Sequence, residues 1–373
     1  MIKNCRICGG EFFNKPIISL KNMPESAQGF LEYKSDNQTM DINLVQCKFC
    51  GTIQLDCEPV GYYKDVIRFG GDSIANIRRK QLKEFIEKYN LENKKIVEIG
   101  ASNGDFLRIL NEFNVKCFGI EHSQENVNIA KRNGLKIEKD FLDNENKILK
   151  DAPFDAFVQF NFMEHQPNPN TMVKAIYNNL SEDAVGFITV PNGDYIFKEG
   201  MWYEIIRDHL FYFSKESLYF LFYKNGFDIL EYFSTNDIFH NIFVKKKLPL
   251  PMNKTNLIFN SLKNRIDEYL NINYNKVVAI WGASHHAFAI ISCYGIKNRI
   301  SFIIDSSPIK QGKFSIGSNI KIISPKQALT KNIDSIIIMA PLYSEEILNI
   351  IKNTMKNNIA IASVIDDKFI ILR

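Results

Sequence analysis

Val97-Glu98-Ile99-Gly100-Ala101-Ser102-Asn103-Gly104 is the stretch on which the fold turns. A β-branched run, Lys95–Ile99, ends in an acidic–x–Gly–x–x–x–Gly turn. Such a run reads as a strand, and the turn as its passage into a helix over Gly104–Glu112. Gly100 lets backbone pass close beneath a ligand and Gly104 opens the helix. The form differs from the dinucleotide fingerprint Gly-x-Gly-x-x-Gly. Working outward, the spacing predicts strands at Lys116–Ile120, Phe154–Phe160 and Ala184–Val190, with helices at Asn126–Asn133 and Thr171–Leu180 between them. A helix over Asp72–Tyr89 precedes the series, with Ile74, Ile77, Leu82, Phe85 and Ile86 near helical spacing. Strands alternating with helices imply a parallel α/β sheet that binds ligands beyond the carboxyl ends of its strands.

The pattern breaks at Leu248-Pro249-Leu250-Pro251, a linker signal. Beyond it a second α/β series has strands at Val277–Trp281, Ile300–Ile304 and Ser335–Met339 and a helix at Ala287–Tyr294. Upstream, Cys5, Cys8, Cys47 and Cys50 form two Cys-x-x-Cys pairs, a tetrahedral thiolate set for a structural Zn²⁺ with no open position for a reactant. The insert from Glu11 to Gln46 then folds as a small loop or hairpin. Two disulfides are the rival reading, disfavoured because no signal peptide precedes the cysteines and a reducing cytoplasm is expected. The domains expected are a zinc-binding module at 1–60, a ligand-binding α/β domain at 61–247 and a C-terminal α/β domain at 252–373.

A formal charge of +4 on 373 residues gives no basic face for nucleic acid, and no apolar run reaches membrane-spanning length. Arg78-Arg79-Lys80 reads as a solvated helix face, and Lys245-Lys246-Lys247 as a strand end entering the linker. Cys57, Cys117 and Cys293 read as packing residues. Glu121 ends the second strand, where a carboxylate can accept both hydroxyls of a ribose. Asp140 and Phe141 follow the third strand, where an adenine would lie. Phe160-Asn161 ends the fourth.

Together these features resemble class I S-adenosylmethionine-dependent methyltransferases over roughly Lys94 to Asn192. The resemblance implies S-adenosylmethionine as cofactor in a Rossmann-like domain. Glu98, Gly100, Ala101 and Gly104 would flank its methionine side, Glu121 its ribose, and Asp140 with Phe141 its adenine, with Phe160 nearby. Met163-Glu164-His165 matches pairs that shape the loop after the fourth strand, so a structural role is expected for it.

After Val190-Pro191-Asn192, the run Arg207-Asp208-His209 stands inside an aromatic-rich segment. Imidazole, with an ordinary pKa of about 6.5, suits proton removal from a sugar hydroxyl or an acidic carbon. With the cysteines and the C-terminal domain, the layout is similar to bacterial sugar C-methyltransferases, which act on nucleotide-linked deoxysugars. Their Tyr-His-Glu-His segment falls on Ile206, Arg207, Asp208 and His209, so only the final histidine is kept, beside a shortened acid. The resemblance implies His209 as the base on a 4-keto sugar and Asp208 as its helper. In the C-terminal domain, Gly282-Ala283-Ser284-His285-His286, Asp305-Ser306-Ser307-Pro308 and Lys310-Gln311-Gly312 stand where the family holds the sugar nucleotide. His285 and His286 read equally as ligand contacts or as a polar helix opening. An O- or N-methyltransferase on the same scaffold is the alternative. An NAD(P)-linked oxidoreductase lacks its glycines here, and a noncatalytic zinc-stabilised interaction protein would not need the glycine turn and Glu121.

Overall fold

The computed structural model describes residues 2–28, 33, 38–64, 71–355 and 358–373. Two compact units divide the chain, one ending at Pro249 and the other spanning Leu250–Arg373. Strands of the first unit are β1 (Ile18–Pro24), β2 (Thr39–Gln46), β3 (Ile53–Leu55), β4 (Lys95–Ile99), β5 (Lys116–Glu121) and β6 (Ile137–Lys139). They continue with β7 (Phe154–Phe160), β8 (Leu180–Pro191), β9 (Phe211–Tyr212), β10 (Phe227–Thr235) and β11 (Phe239–Lys246).

The large sheet has seven strands in the order β10-β11-β8-β7-β4-β5-β6. β4 to β8 pair in parallel, and β11 and β10 close one edge antiparallel. Both faces are covered, which is why β4 reads as an almost unbroken apolar run. Val97 and Ile99 pack into one core, while Ile96 packs into the other with Leu82, Phe85, Phe106, Val158 and Phe160. The expected strands are present with small shifts at their ends. The antiparallel pair β10–β11 was not foreseen, because its aromatic-rich sequence carries no βαβ period.

A second sheet of four strands, in the order β1-β2-β3-β9, forms the cysteine module. β1 and β2 make the hairpin expected in the insert, whose residues 29–32 and 34–37 lie outside the described residues. β9 comes from the segment just after His209, and it pairs antiparallel with β3. The Leu55 N–H adds a bond of 2.9 Å to the Leu210 carbonyl. The cysteine module and the aromatic segment therefore share one sheet.

The second unit holds β12 (Val278–Trp281), β13 (Phe302–Ile304), β14 (Ile322–Ile323), β15 (Ser335–Ile338), β16 (Ala360–Ile365) and β17 (Lys368–Ile371). Their order is β14-β13-β12-β15-β16-β17, parallel except for β17. The helix Asn253–Ile272 leads into it and buries Leu262, Ile266, Tyr269 and Leu270.

Candidate active site and thiol cluster

The Sγ atoms of Cys5, Cys8, Cys47 and Cys50 lie within 4.8 Å of one another. Cys5 and Cys50 are 3.6 Å apart, and Cys8 and Cys47 3.3 Å. A tetrahedron with Zn–S bonds of about 2.3 Å has edges of about 3.8 Å, so the four sulfurs stand close to a zinc shell. Backbone N–H groups of Ile7, Gly10 and Phe49 point at the sulfurs of Cys5, Cys8 and Cys47 from 3.3–3.4 Å, which favours thiolates. All four are free thiols, so the disulfide reading falls. Cys57 and Cys117 are buried as packing residues should be, whereas Cys293 is exposed.

A cavity of about 430 Å³ opens at the carboxyl ends of β4, β5, β7 and β8. That is the size range of small-molecule sites. One end of it is built by the turn after β4. Gly100 holds φ +73, and a Cβ there would meet the Phe162 ring at 2.8 Å. Gly104 caps the helix Asp105–Leu110 with φ +87, where a Cβ would strike Leu135 at 2.3 Å. The Glu121 carboxylate accepts from the Ser102 N–H at 2.8 Å and the Ser123 N–H at 2.9 Å. Each oxygen keeps a further lone pair, so the group can still accept ribose hydroxyls. Asp140 and Phe141 line a small adjoining recess with Glu121 and His122. The glycine turn, the carboxylate and the aromatic recess thus fit an adenosyl cofactor.

Three expected contacts lie elsewhere. Phe160 is wholly buried edge-on to Phe106 and Phe187, and Phe162, two residues on, forms the wall instead. β7 ends at Phe160, whose ring stays in the core, and Asn161, at φ 48, turns the chain so that Phe162 falls on the cavity. Ala101 is packed in the same core and Ser102 faces the cavity. Glu98 is fully buried within β4 and lies outside the cavity lining.

The opposite wall is polar. Glu164, His165, Tyr195, Glu204 and His209 line it, with Gln28 from the cysteine module. Glu164 and His165, expected as loop formers, are buried with their side chains on the cavity. The rings of His165 and His209 lie 4.9 Å apart, centroid to centroid, in edge-on contact. His165 Nδ1 is 2.7 Å from the Asp208 carbonyl. A carbonyl only accepts, so Nδ1 carries the proton and Nε2 is left with its lone pair. Burial lowers the His165 pKa to about 4, and burial together with the His165 ring pulls that of His209 well below the ordinary histidine value.

Asp208 faces away from this wall. Its carboxylate accepts from the Tyr62 hydroxyl at 2.5 Å and the Ala27 N–H at 2.8 Å. It therefore touches neither imidazole through its side chain, contrary to the expectation of a helper acid. Tyr62 in turn meets Ser26, so the carboxylate ties two stretches of the cysteine module to the His209 segment.

Arg78 was read as part of a solvated face, but only 4% of it is exposed and it lines the cavity. Helical register could have flagged it, since Arg78 stands one turn before the buried Leu82. Tyr195 and Glu204 carried no sequence signal, because only the folding of the stretch after β8 brings them inward.

The second unit repeats one device of the first. Asp305, just past β13, accepts from the Ala283 N–H at 2.8 Å and the Ser307 N–H at 2.9 Å, as Glu121 does after β5. Here Lys310 bonds both Asp305, at 3.1 Å, and the Ala283 carbonyl, at 2.8 Å. An ammonium stands on this carboxylate, whereas Glu121 is held by backbone N–H groups. Ser284 caps the helix His285–Cys293 through the Ala287 N–H, and His285 and His286 lie exposed at its start.

A family model described as a methyltransferase domain matches residues 74–232, and one described as a C-methyltransferase C-terminal domain matches 260–365. The chain is similar to C-methyltransferase NovU of Streptomyces niveus, 22% identical over 95% of this chain and 94% of that protein. It also resembles the ubiquinone biosynthesis O-methyltransferase of Pelagibacter ubique (strain HTCC1062), 26% identical over 36% of this chain and 59% of that one. Among solved structures, an S-adenosylmethionine-dependent methyltransferase from Clostridium acetobutylicum ATCC 824 matches 47% of this chain and 92% of its own, at 13% identity and a TM-score of 0.38. The two domain models and the full-length relative carry the weight here. No helix among the described residues is long and apolar enough to cross a membrane.

Proposed function

We propose that this chain, an S-adenosylmethionine-dependent methyltransferase with a C-methyltransferase C-terminal domain, methylates a carbon of a small, nucleotide-linked sugar in the cytoplasm. One observation carries the reading: the cofactor turn and His209 open into the same cavity. When bound, the cofactor supplies an electrophilic methyl group. Gly100 and Ser102 would seat its methionine side, Glu121 its ribose, and Asp140 with Phe141 its adenine. His209, kept neutral by burial, takes the proton from the acceptor. His165, its tautomer fixed by the Asp208 carbonyl, packs against the His209 ring and holds it in place. Tyr195, Glu204 and Gln28 offer the hydrogen bonds a polyhydroxylated acceptor needs. Asp208 positions the segment from behind. A zinc ion on Cys5, Cys8, Cys47 and Cys50 would brace the sheet from which β9 places His209. The second unit, which matches a C-methyltransferase C-terminal domain, would hold the nucleotide, as the resemblance to sugar C-methyltransferases implies.

The test is product analysis after incubation with S-adenosylmethionine and a panel of nucleotide-linked deoxysugars, keto forms included. Mass spectrometry should show one added methyl, and NMR should place it on a ring carbon. A methyl on oxygen or nitrogen would keep the enzyme class and replace the acceptor. A panel left unmodified throughout would remove the sugar reading. A second reading has one observation in its favour: donor atoms of Glu164, His165 and His209 converge within 4.8 Å, as in sites that hold a divalent cation. It requires two metals per chain where the first requires one, and metal analysis of the purified protein separates them.

A further inference from the structure

The two residues of β9 send their side chains into different cores, as alternation along a strand requires. Phe211 packs with Phe213 and the apolar residues of one face of the large sheet. Tyr212 enters the core of the cysteine module, with Ile42, Leu44 and Leu55 and with Ile196 and Ile205 from the stretch after β8. Only 2% of Tyr212 is exposed. A phenol so placed must find partners for its hydroxyl, because a buried polar group left unpaired is costly. It finds them in one short run of backbone. The hydroxyl accepts from the Ile206 N–H at 2.8 Å and stands 3.2 Å from the carbonyls of Glu204 and Ile206, one of which takes its hydrogen. Burial raises the phenol's pKa, so the group keeps the proton that lets it donate and accept at once.

That run carries two residues of the polar wall. Glu204 lines the cavity at one end of it. At the other, the His209 N–H closes on the Ile206 carbonyl at 3.2 Å, and His209 lines the cavity as well. Tyr212 is not among the described residues that line the cavity, and its ring centroid is 6.3 Å from that of His209. Its own backbone belongs to the cysteine-module sheet, opposite Ile53 of β3. One side chain thus joins that sheet to the backbone on which Glu204 and His209 stand. We propose that Tyr212 is a positioning residue, whose hydroxyl sets the 204–209 run so that the His209 imidazole meets the acceptor. This rests on the reading of His209 as the base and adds what holds that base in place.

Tyr212→Phe keeps the ring and deletes the hydroxyl. Amide exchange followed by mass spectrometry reads the run without any ligand. The peptide covering 204–209 should exchange about 10–100-fold faster in the variant, while those covering β4 and β5 keep the wild-type rate. With the acceptor found by the product panel, kcat should fall about 10–100-fold, the cost of a small misplacement of a reacting group. S-adenosylhomocysteine affinity should not change. In a His209→Asn background the same substitution should lower kcat by less than about 2-fold, because the group it positions has gone. Losses that multiply in the double variant would overturn the proposal. So would Tyr212→Phe with wild-type kcat and a lowered denaturant midpoint, the mark of a hydroxyl that only stabilises the fold. If the variant does not fold, the wild-type protein decides: its Ile206 amide should be protected, and exchange at the rate of an open chain would overturn the bond on which the proposal stands. Wild-type kcat in His209→Asn alone would instead remove the base reading, and the positioning role with it.

Discussion

His209 and Glu121 are the two residues whose chemistry can be separated by measurement. Both line one cavity, and the proposed arrangement sets His209 on its acceptor side and Glu121 on its cofactor side. His209→Asn is expected to lower turnover by about 10²–10⁴-fold, the usual share of general-base catalysis, with S-adenosylhomocysteine affinity unchanged. Because burial and His165 lower its pKa, the neutral base persists below the ordinary histidine value. The acidic limb of the kcat/KM profile should therefore fall below about pH 6.5 in wild type and vanish in the variant. Glu121→Ala is expected to weaken S-adenosylhomocysteine about 10–100-fold in calorimetry, because two charge-assisted hydrogen bonds go with the carboxylate. Unchanged affinity would take Glu121 out of the site. The sequence made these two residues legible because Glu121 ends the second strand of the series and His209 falls on the last histidine of the family segment it resembles. Arg78 was hidden by its neighbours: Arg79 pairs with Glu112 at the surface, and the three basic residues read alike until a helix sets their directions. Asp208 was misread for the converse reason. Arg207 and Asp208 form a turn closed by the His209 N–H on the Ile206 carbonyl, and that turn aims the acid beside the histidine at Tyr62 and Ala27.

At the scale of elements, β9 is the piece that no periodicity announces. It has two residues, Phe211 and Tyr212, and exists because β3 of the cysteine module offers its edge. The thiol cluster is thereby linked to the site through a shared sheet. Cys47→Ser is expected to lose zinc and to lower turnover more than cofactor affinity, since the large sheet and its glycine turn do not pass through the cluster. Metal analysis with parallel calorimetry and rate measurements checks this, and equal losses in both would detach β9 from the cluster. The loop after β7 has its own signature. His165 titrates near about 4 in the folded chain, below its unfolded value of about 6.5, so the unfolded state binds more protons between those limits. Its contribution to stability is complete above about pH 6.5 and is lost as pH falls toward 4. Denaturant midpoints should drop over that window, and His165→Gln should flatten the drop. A wild-type midpoint constant across it would contradict burial of the neutral ring.

Over the whole molecule, the parallel strands were legible because burial on both faces writes apolar runs between polar turns, as in Lys95–Ile99 and Val278–Trp281. The antiparallel additions were not, since β10, β11 and β17 are defined by partners far along the chain. The site was legible on its cofactor half, where one turn and two strand ends suffice. Its polar wall gathers Gln28, His165, Tyr195 and His209 from separate stretches, and only folding collects them. That shared cavity is the central claim, and solvent-hydrogen exchange addresses it most directly. The acceptor identified by the product panel is incubated in D₂O with enzyme and S-adenosylhomocysteine, so that a proton can leave while no methyl can be delivered. Wild-type enzyme should bring deuterium onto the acceptor carbon, and His209→Asn should slow that exchange by about 10²–10⁴-fold. Exchange at the wild-type rate in the variant would contradict the account, because the carbon would then be activated without His209.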